Sequence, residues 1–198
     1  MQYTIAVDCD EVLVESAKSL LTMVKDIYGH DRPYAHMRHY LLSDNAHIPL
    51  DQQWSLDVFM EYCRSAYARS TLPVVGAYET LQKWKQQWHK LYVLTARNEA
   101  QKPITEWQIA THYSGIFDDI IYAHHYTEHH VPKSALCQSI GAGVLIEDNI
   151  DYALEVATHA IPVFLLQKPW NAWRDENNTY IHRVTSWWDI DLSSAFAK

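Results

Sequence analysis

Asp8 and Asp10 stand one residue apart, directly after the apolar run Tyr3-Thr-Ile-Ala-Val7, and are the side chains of this 198-residue chain best placed to do chemistry. Two carboxylates so close repel each other, so the pair is stable only if a cation, or a proton on one of them, offsets the charge. Two more strand-like runs end in polar groups: Lys90-Leu-Tyr-Val-Leu94 in Thr95, and Gly143-Val-Leu-Ile146 in Glu147-Asp148. Lys133 opens a predicted short helix that enters the same edge. Carboxylates for a hard ion such as Mg²⁺, a hydroxyl donor and a cation form the inventory of a phosphate site. Two unit charges 4 Å apart interact by about 4 kcal/mol at the effective dielectric of such a site. Three acids and a phosphate dianion therefore need both the metal and Lys133.

The elements that must position these residues alternate between strand and helix. Ala17, Leu20, Leu21, Val24, Ile27 and Tyr28 recur at helical spacing, with Gly29 where a C-terminal cap belongs, which predicts a helix over 15–28. The next forty or so residues are irregular and broken by Pro33 and Pro49, until a second amphipathic stretch runs from Asp51 and fades near Ser70. From Leu72 the α/β rhythm returns: helix 78–88, strand 90–94, helix 103–113, strand 119–123, helix 133–140, strand 143–146, helix 152–158 and strand 161–166. A short helix is expected from Trp187-Trp188. The predicted fold class is α/β, a Rossmann-like parallel sheet flanked by helices, with a small helical cap inserted after the first strand. Residues 1–14 and 73–198 would form the core and 15–72 the cap. In such a sheet the carboxyl ends of the strands share one edge, where open α/β sheets bind ligands.

Composition narrows the classes. Sixteen Lys+Arg against 24 Asp+Glu leave a formal charge of −8, which speaks against polymeric nucleic acid and anionic membranes as partners. No apolar run reaches membrane-spanning length, and the first strand begins too near Met1 to leave space for a signal peptide, so a cytoplasmic location is expected. Cys9, Cys63 and Cys137 are odd in number and scattered, so they read as reduced thiols.

In order along the chain, Asp8-x-Asp10-x-Val12, Val93-Leu-Thr-Ala-Arg97, Lys133 and Leu145-Ile-Glu-Asp-Asn149 resemble the four motifs of the haloacid dehalogenase superfamily, most of whose members are phosphohydrolases. Within it, the helical insertion, the paired acids of the fourth motif and Lys168-Pro-Trp-Asn171 resemble the 5′(3′)-deoxyribonucleotidase family. The resemblance implies that Asp8 attacks phosphorus to form an aspartyl-phosphate, while Asp10 protonates the leaving oxygen and then activates water. It implies Mg²⁺ held by the Asp8 side chain, the Asp10 backbone carbonyl and the Asp148 side chain. Thr95 and the following amide of Ala96 would bind the phosphoryl oxygens, with Arg97 a further candidate and Lys133 offsetting charge. Glu147 would be an acidic neighbour and Asp151 would support the metal acids from behind. The implied protein is a Mg²⁺-dependent phosphomonoesterase for a small-molecule substrate, a nucleoside monophosphate, and a homo-oligomer is compatible with it.

Two other readings stand beside this one: a phosphatase for another small phosphorylated metabolite, and a noncatalytic binding protein on the same fold. Dehalogenation is disfavoured, because halide departure needs neither an acid at Asp10 nor Mg²⁺. Lys102 is the weaker rival of Lys133. His124-His125 and His129-His130 lack the helical spacing of a zinc site and are expected in an exposed loop. Cys9, between the two acids, is expected to face the core on the opposite side of the strand. Tyr34, Tyr40, Trp54 and Phe59 are the candidates to stack on a base. Glu11 occupies a place where the related nucleotidases more often have glycine, so its side chain bears on leaving-group choice.

Overall fold

The computed structural model describes residues 2–39, 52–125, 127–174 and 177–195. Six strands, β1 (Thr4–Val7), β2 (Lys90–Thr95), β3 (Asp119–Tyr122), β4 (Val144–Glu147), β5 (Val163–Leu166) and β6 (Ile181–Val184), form one sheet in the order β3-β2-β1-β4-β5-β6. Every neighbouring pair is parallel. Strands covered on both faces read as continuous apolar runs, and β4 and β5 are buried along their whole length. The chain runs outward from β1 to β3 and then returns to β4 on the other side of β1. The switch point between β1 and β4 is where such sheets open a crevice at their carboxyl ends.

Eight α-helices accompany the strands among the described residues: α1 (Ser16–Tyr28), α2 (Gln52–Arg64), α3 (Ala66–Arg69), α4 (Ala77–Gln86), α5 (Lys102–His112), α6 (Lys133–Ser139), α7 (Ile150–Ala157) and α8 (Leu192–Ala195). Ile5, Val7, Leu91 and Val93 on one face of the sheet pack with Leu81 and Trp84 of α4, Ile109 of α5 and Trp187. Ala6, Leu94, Leu145 and Val163 on the other pack with Cys137 of α6 and Ala153 and Val156 of α7. A further apolar cluster joins α1, α2 and α3 and rests on Ile104 and Trp170. This cluster is shared between the helical segment and the residues after the strands β2 and β5. No helix of the described residues is long and apolar enough to cross a membrane.

Three details depart from the expected elements. The amphipathic stretch beginning at Asp51 breaks at Ser65, whose hydroxyl accepts from the amides of Tyr67 and Ala68 and caps α3. Strand β6 was not foreseen. Trp187–Asp189 forms a 3-10 turn rather than the start of an α-helix, and α8 follows it. Asp51 and Tyr40 lie outside the described residues.

Candidate active site

The loop after β1 is tight and tied down. The amides of Leu13 and Val14 both donate to Cys9 O, and the Asp8 amide donates to Ile146 O of β4. Carbonyls that the turn turns inward find side chains: Trp187 Nε1 donates to Val12 O at 2.9 Å and Tyr113 Oη to Leu13 O at 2.6 Å. Cys9 is buried in the core of the sheet, as its alternation predicts. Glu11 takes φ 60°, a left-handed conformation strained for any residue with a Cβ. In that conformation its carboxylate accepts from the Ala17 amide at 2.6 Å and from Tyr34 Oη at 2.8 Å, so it caps α1 and ties the helical segment to the loop.

Asp8, Glu147 and Asp148 come together at the β1/β4 switch, each offering a carboxylate oxygen within 4.8 Å of the others, and all three are buried. Lys133, 1% exposed, donates from Nζ to Asp8 Oδ1 at 2.5 Å and to Glu147 Oε2 at 2.6 Å, and lies 4.6 Å from the centre of the Tyr152 ring. The other Glu147 oxygen accepts from the Asp148 and Asn149 amides. Trp170 Nε1 donates to Asp148 Oδ2 at 3.0 Å, and Asn171 Nδ2 donates to Asp148 O at 2.6 Å and to Leu166 O at 2.8 Å. An all-oxygen set with three acids against one ammonium fits a hard divalent cation.

Electrostatics splits the two aspartates of the first motif. Burial, reinforced by Glu147 and Asp10, outweighs Lys133 and pushes the Asp8 carboxyl up to about 8. Burial with Glu147 and Asp8 likewise lifts Asp148 well above the usual carboxylate range. Burial would raise Asp10 too, but the Arg97 guanidinium holds it below its ordinary value. Arg97 Nη2 and Nε reach the two Asp10 oxygens at 2.7 and 3.0 Å, and the Ser16 hydroxyl donates to Oδ1. Such a bidentate pair favours the charged carboxylate.

A stability prediction follows for the metal-free protein. Asp8 binds its proton more tightly folded than unfolded, so its contribution is complete below about pH 4, the ordinary carboxylate range, and is lost as pH rises through about 8; Asp148, lifted in the same direction, acts in the same sense. Asp10 acts in the opposite sense, but only below its ordinary value of 3.8. In chelator, the urea midpoint is expected to fall from about pH 5 to about pH 8, corresponding to a few kcal/mol, and Mg²⁺ is expected to flatten the slope. A midpoint that rises with pH across that window in chelator would contradict it.

Of the other residues expected at the site, Thr95 ends β2 fully buried, its Oγ1 accepting from the Arg97 amide at 3.3 Å. Ala96 lines the cavity in front of Asp10. Arg97, a candidate for the phosphoryl oxygens, lines the cavity with its guanidinium engaged by protein groups: it binds Asp10 and also donates from Nη1 to Thr105 Oγ1 at 3.0 Å and Gln108 Oε1 at 2.9 Å. Asp151 requires a correction, since its carboxylate pairs with Arg174 at 2.7 Å and is 72% exposed. His125 leaves the exposed-loop expectation as well. Its amide donates to Ala96 O at 2.9 Å, its ring meets Tyr152 edge to face, and it lines the cavity, while His129 and His130 stay exposed.

The cavity holds about 290 Å³ between α1, α2 and the strand ends. Phe59 is on its wall; Tyr34 instead bonds Glu11 and meets Trp170 edge to face, and Trp54 packs on Tyr28. Sequence reasoning missed Ser16, Gln108, Tyr152 and Trp170. Only Trp170 had a signal, its place in Lys168-Pro-Trp-Asn171 after the last apolar run. Trp170→Phe keeps an aromatic ring but removes the bond to Asp148 and part of the buried volume; it is expected to destabilise the protein by about 1–3 kcal/mol in urea titration. A variant as stable as the parent would show that bond to be dispensable.

Comparison with solved structures found the same fold in hydrolases of the haloacid dehalogenase superfamily. A haloacid dehalogenase-like hydrolase from Streptococcus pneumoniae matches with a TM-score of 0.65 at 14% identity, over 91% of this chain and 93% of that one. A proposed phosphoglycolate phosphatase from Lactobacillus delbrueckii matches with a TM-score of 0.64 at 15% identity, over 93% and 95%. CbbY from Rhodobacter sphaeroides, solved with phosphate, matches with a TM-score of 0.63 at 13% identity, over the full length of both chains. No protein-family model matches the chain, and no curated protein matches its sequence.

Proposed function

We propose that the chain is a Mg²⁺-dependent phosphomonoesterase that cleaves nucleoside monophosphates through an aspartyl-phosphate on Asp8. The observation that carries the phosphatase reading is the meeting of Asp8, Glu147, Asp148 and Lys133 at the switch point, beside a cavity onto which Asp10 opens. Mg²⁺ held by the side chains of Asp8 and Asp148 and the carbonyl of Asp10 would lower the charge of the acids and polarise the phosphoryl oxygens.

The chain's own residues do the rest. Asp8 supplies the attacking oxygen, and Lys133 keeps it oriented by holding Oδ1 while Glu147 fixes the ammonium. Thr95 and the Ala96 amide meet the equatorial oxygens. Asp10, ionised and clamped by Arg97, is set to take a proton from the water that cleaves the intermediate. For the first step Asp10 must arrive protonated: a phosphate dianion bound against it raises the cost of its charged form, so it takes a proton from solvent, passes that proton to the leaving oxygen as the P–O bond breaks, and is left ionised to accept one from the water.

For the leaving group, the support is the size of the cavity and its mixed wall: Phe59 and Leu20 offer apolar surface, and Gln53, Ser55 and Asn98 offer polar atoms. A panel of phosphomonoesters assayed with Mg²⁺ and with chelator tests both levels. Chelator is expected to abolish turnover, and dUMP and dTMP are expected to turn over faster than sugar phosphates. Equal rates for sugar phosphates would remove the nucleotidase reading and leave the phosphatase one.

A further inference from the structure

We infer that the leaving-group cavity selects against a second negative charge, with Asp57 of α2 and Glu11 as the selecting residues, so that the substrates are phosphomonoesters of neutral or cationic alcohols. The inference rests on the phosphatase reading and narrows its substrate class.

The charges on the cavity wall support it. Among the described residues the wall carries Asp10, Glu11 and Asp57, and its only guanidinium or ammonium group is that of Arg97. Arg97 is already engaged: four of its five N–H donors serve Asp10, Thr105 and Gln108. Glu11 is fixed toward the cavity by its bonds from the Ala17 amide and Tyr34 Oη, and its oxygens both act as acceptors. Burial pushes the Glu11 carboxyl above its ordinary value and Lys168, which stands off the wall, opposes that, so the exposed Asp57 carries the larger share of the selection. Asp57 accepts from Gln53 Nε2 at 2.9 Å, a neutral partner one helical turn away. The twelve residues 40–51, outside the described set, contain Asp44 and Asp51 and neither lysine nor arginine. They can add no cation of that kind wherever they lie.

A carboxylate or second phosphate on the leaving group would thus face acids of its own sign, while Arg97, the one guanidinium or ammonium group on the wall among the described residues, is already engaged. Like charges juxtaposed at a binding site act as a specificity filter. A neutral polar group would instead meet the Gln53 amide and the acceptor oxygens of Asp57. A cationic one would gain from both acids.

The test compares 4-carboxyphenyl phosphate with 4-carbamoylphenyl phosphate, which match in shape and differ in charge. With Mg²⁺ at low salt, the amide is expected to have the higher kcat/KM by on the order of ten- to a hundredfold, mostly through KM, and added salt is expected to shrink the gap. Asp57→Lys is expected to narrow or invert the ratio, and Asp57→Asn to narrow it less. Equal kcat/KM for the two esters, or a ratio unmoved by Asp57→Lys, would overturn the inference while leaving the phosphatase reading standing. Failure to hydrolyse either ester would count against the phosphatase reading. Calorimetric binding of both esters to Asp8→Asn with Mg²⁺ then decides the inference separately: tighter binding of the amide supports it, and equal binding or none overturns it.

Discussion

Asp8→Asn is expected to reduce phosphomonoester hydrolysis by about 10⁴-fold or more, the scale seen when the attacking group of a covalent mechanism is removed. The amide cannot attack phosphorus, yet it fills the same space and can still accept from Lys133 Nζ, which sits 2.5 Å from Asp8 Oδ1. Folding should survive the change, because Asp8 is buried with two other acids and burial already disfavours its charge. Removing that charge relieves Asp148, so in chelator the variant is expected to be at least as stable as the parent. Retained phosphate release would remove Asp8 from the nucleophile's role. A gross loss of folding would instead show that the carboxylate holds the loop together.

Lys133→Met should damage the protein in both respects. The ammonium is the group that bonds two of the three clustered acids, and it is as buried as they are. Truncating one partner of a buried ion pair leaves an uncompensated charge and typically costs about 3–5 kcal/mol. Methionine keeps much of the stem and removes the ammonium, together with its contact over the Tyr152 ring, so the loss is electrostatic rather than steric. Urea unfolding in chelator should show that loss, and Mg²⁺ should recover more stability in the variant than in the parent, since it then faces three acids with no rival cation. Turnover should fall by about 10²–10³-fold even with Mg²⁺, as when one preorganised donor is lost from a charged transition state. Parent-like stability in chelator would contradict this role of the lysine.

The parts of this site that could be read in the sequence are those set by strand ends. A short apolar run that stops at a polar side chain is visible without coordinates, and Asp8, Thr95 and Glu147-Asp148 all sit at such stops in adjacent strands of the sheet. Lys133 could be found through its place at the start of a helix. What could not be read is which side chains turn back on these. Arg97 meets Asp10 because Thr105 and Gln108, three residues apart on α5, present one helical face to it, and nothing in the spacing of Arg97 from Asp10 announces that. The bond from Gln108 Nε2 to Ala68 O extends the same chain of contacts to the helical segment. His125 was misread because adjacent histidines in a polar loop carry no periodicity, while its partial burial comes from lying along Ala96, as His124 lies along Arg97. Strand β6 was missed for a related reason: Ile181-His-Arg-Val184 is a short edge strand, only Val184 of which is buried, so it lacks the apolar run that marked the central strands.

The covalent step on Asp8 joins the acid cluster, the lysine and the cavity into one catalyst, and it can be observed directly. The protein would be mixed with Mg²⁺ and a nucleoside monophosphate, quenched in acid within the first turnover, digested and analysed by peptide mass. The expected result is a phosphoryl group on the peptide that carries Asp8, absent when chelator replaces Mg²⁺ and absent from Asp8→Asn. Phosphate release at full rate with no phosphoryl group on that peptide, or with the label on another residue, would contradict it.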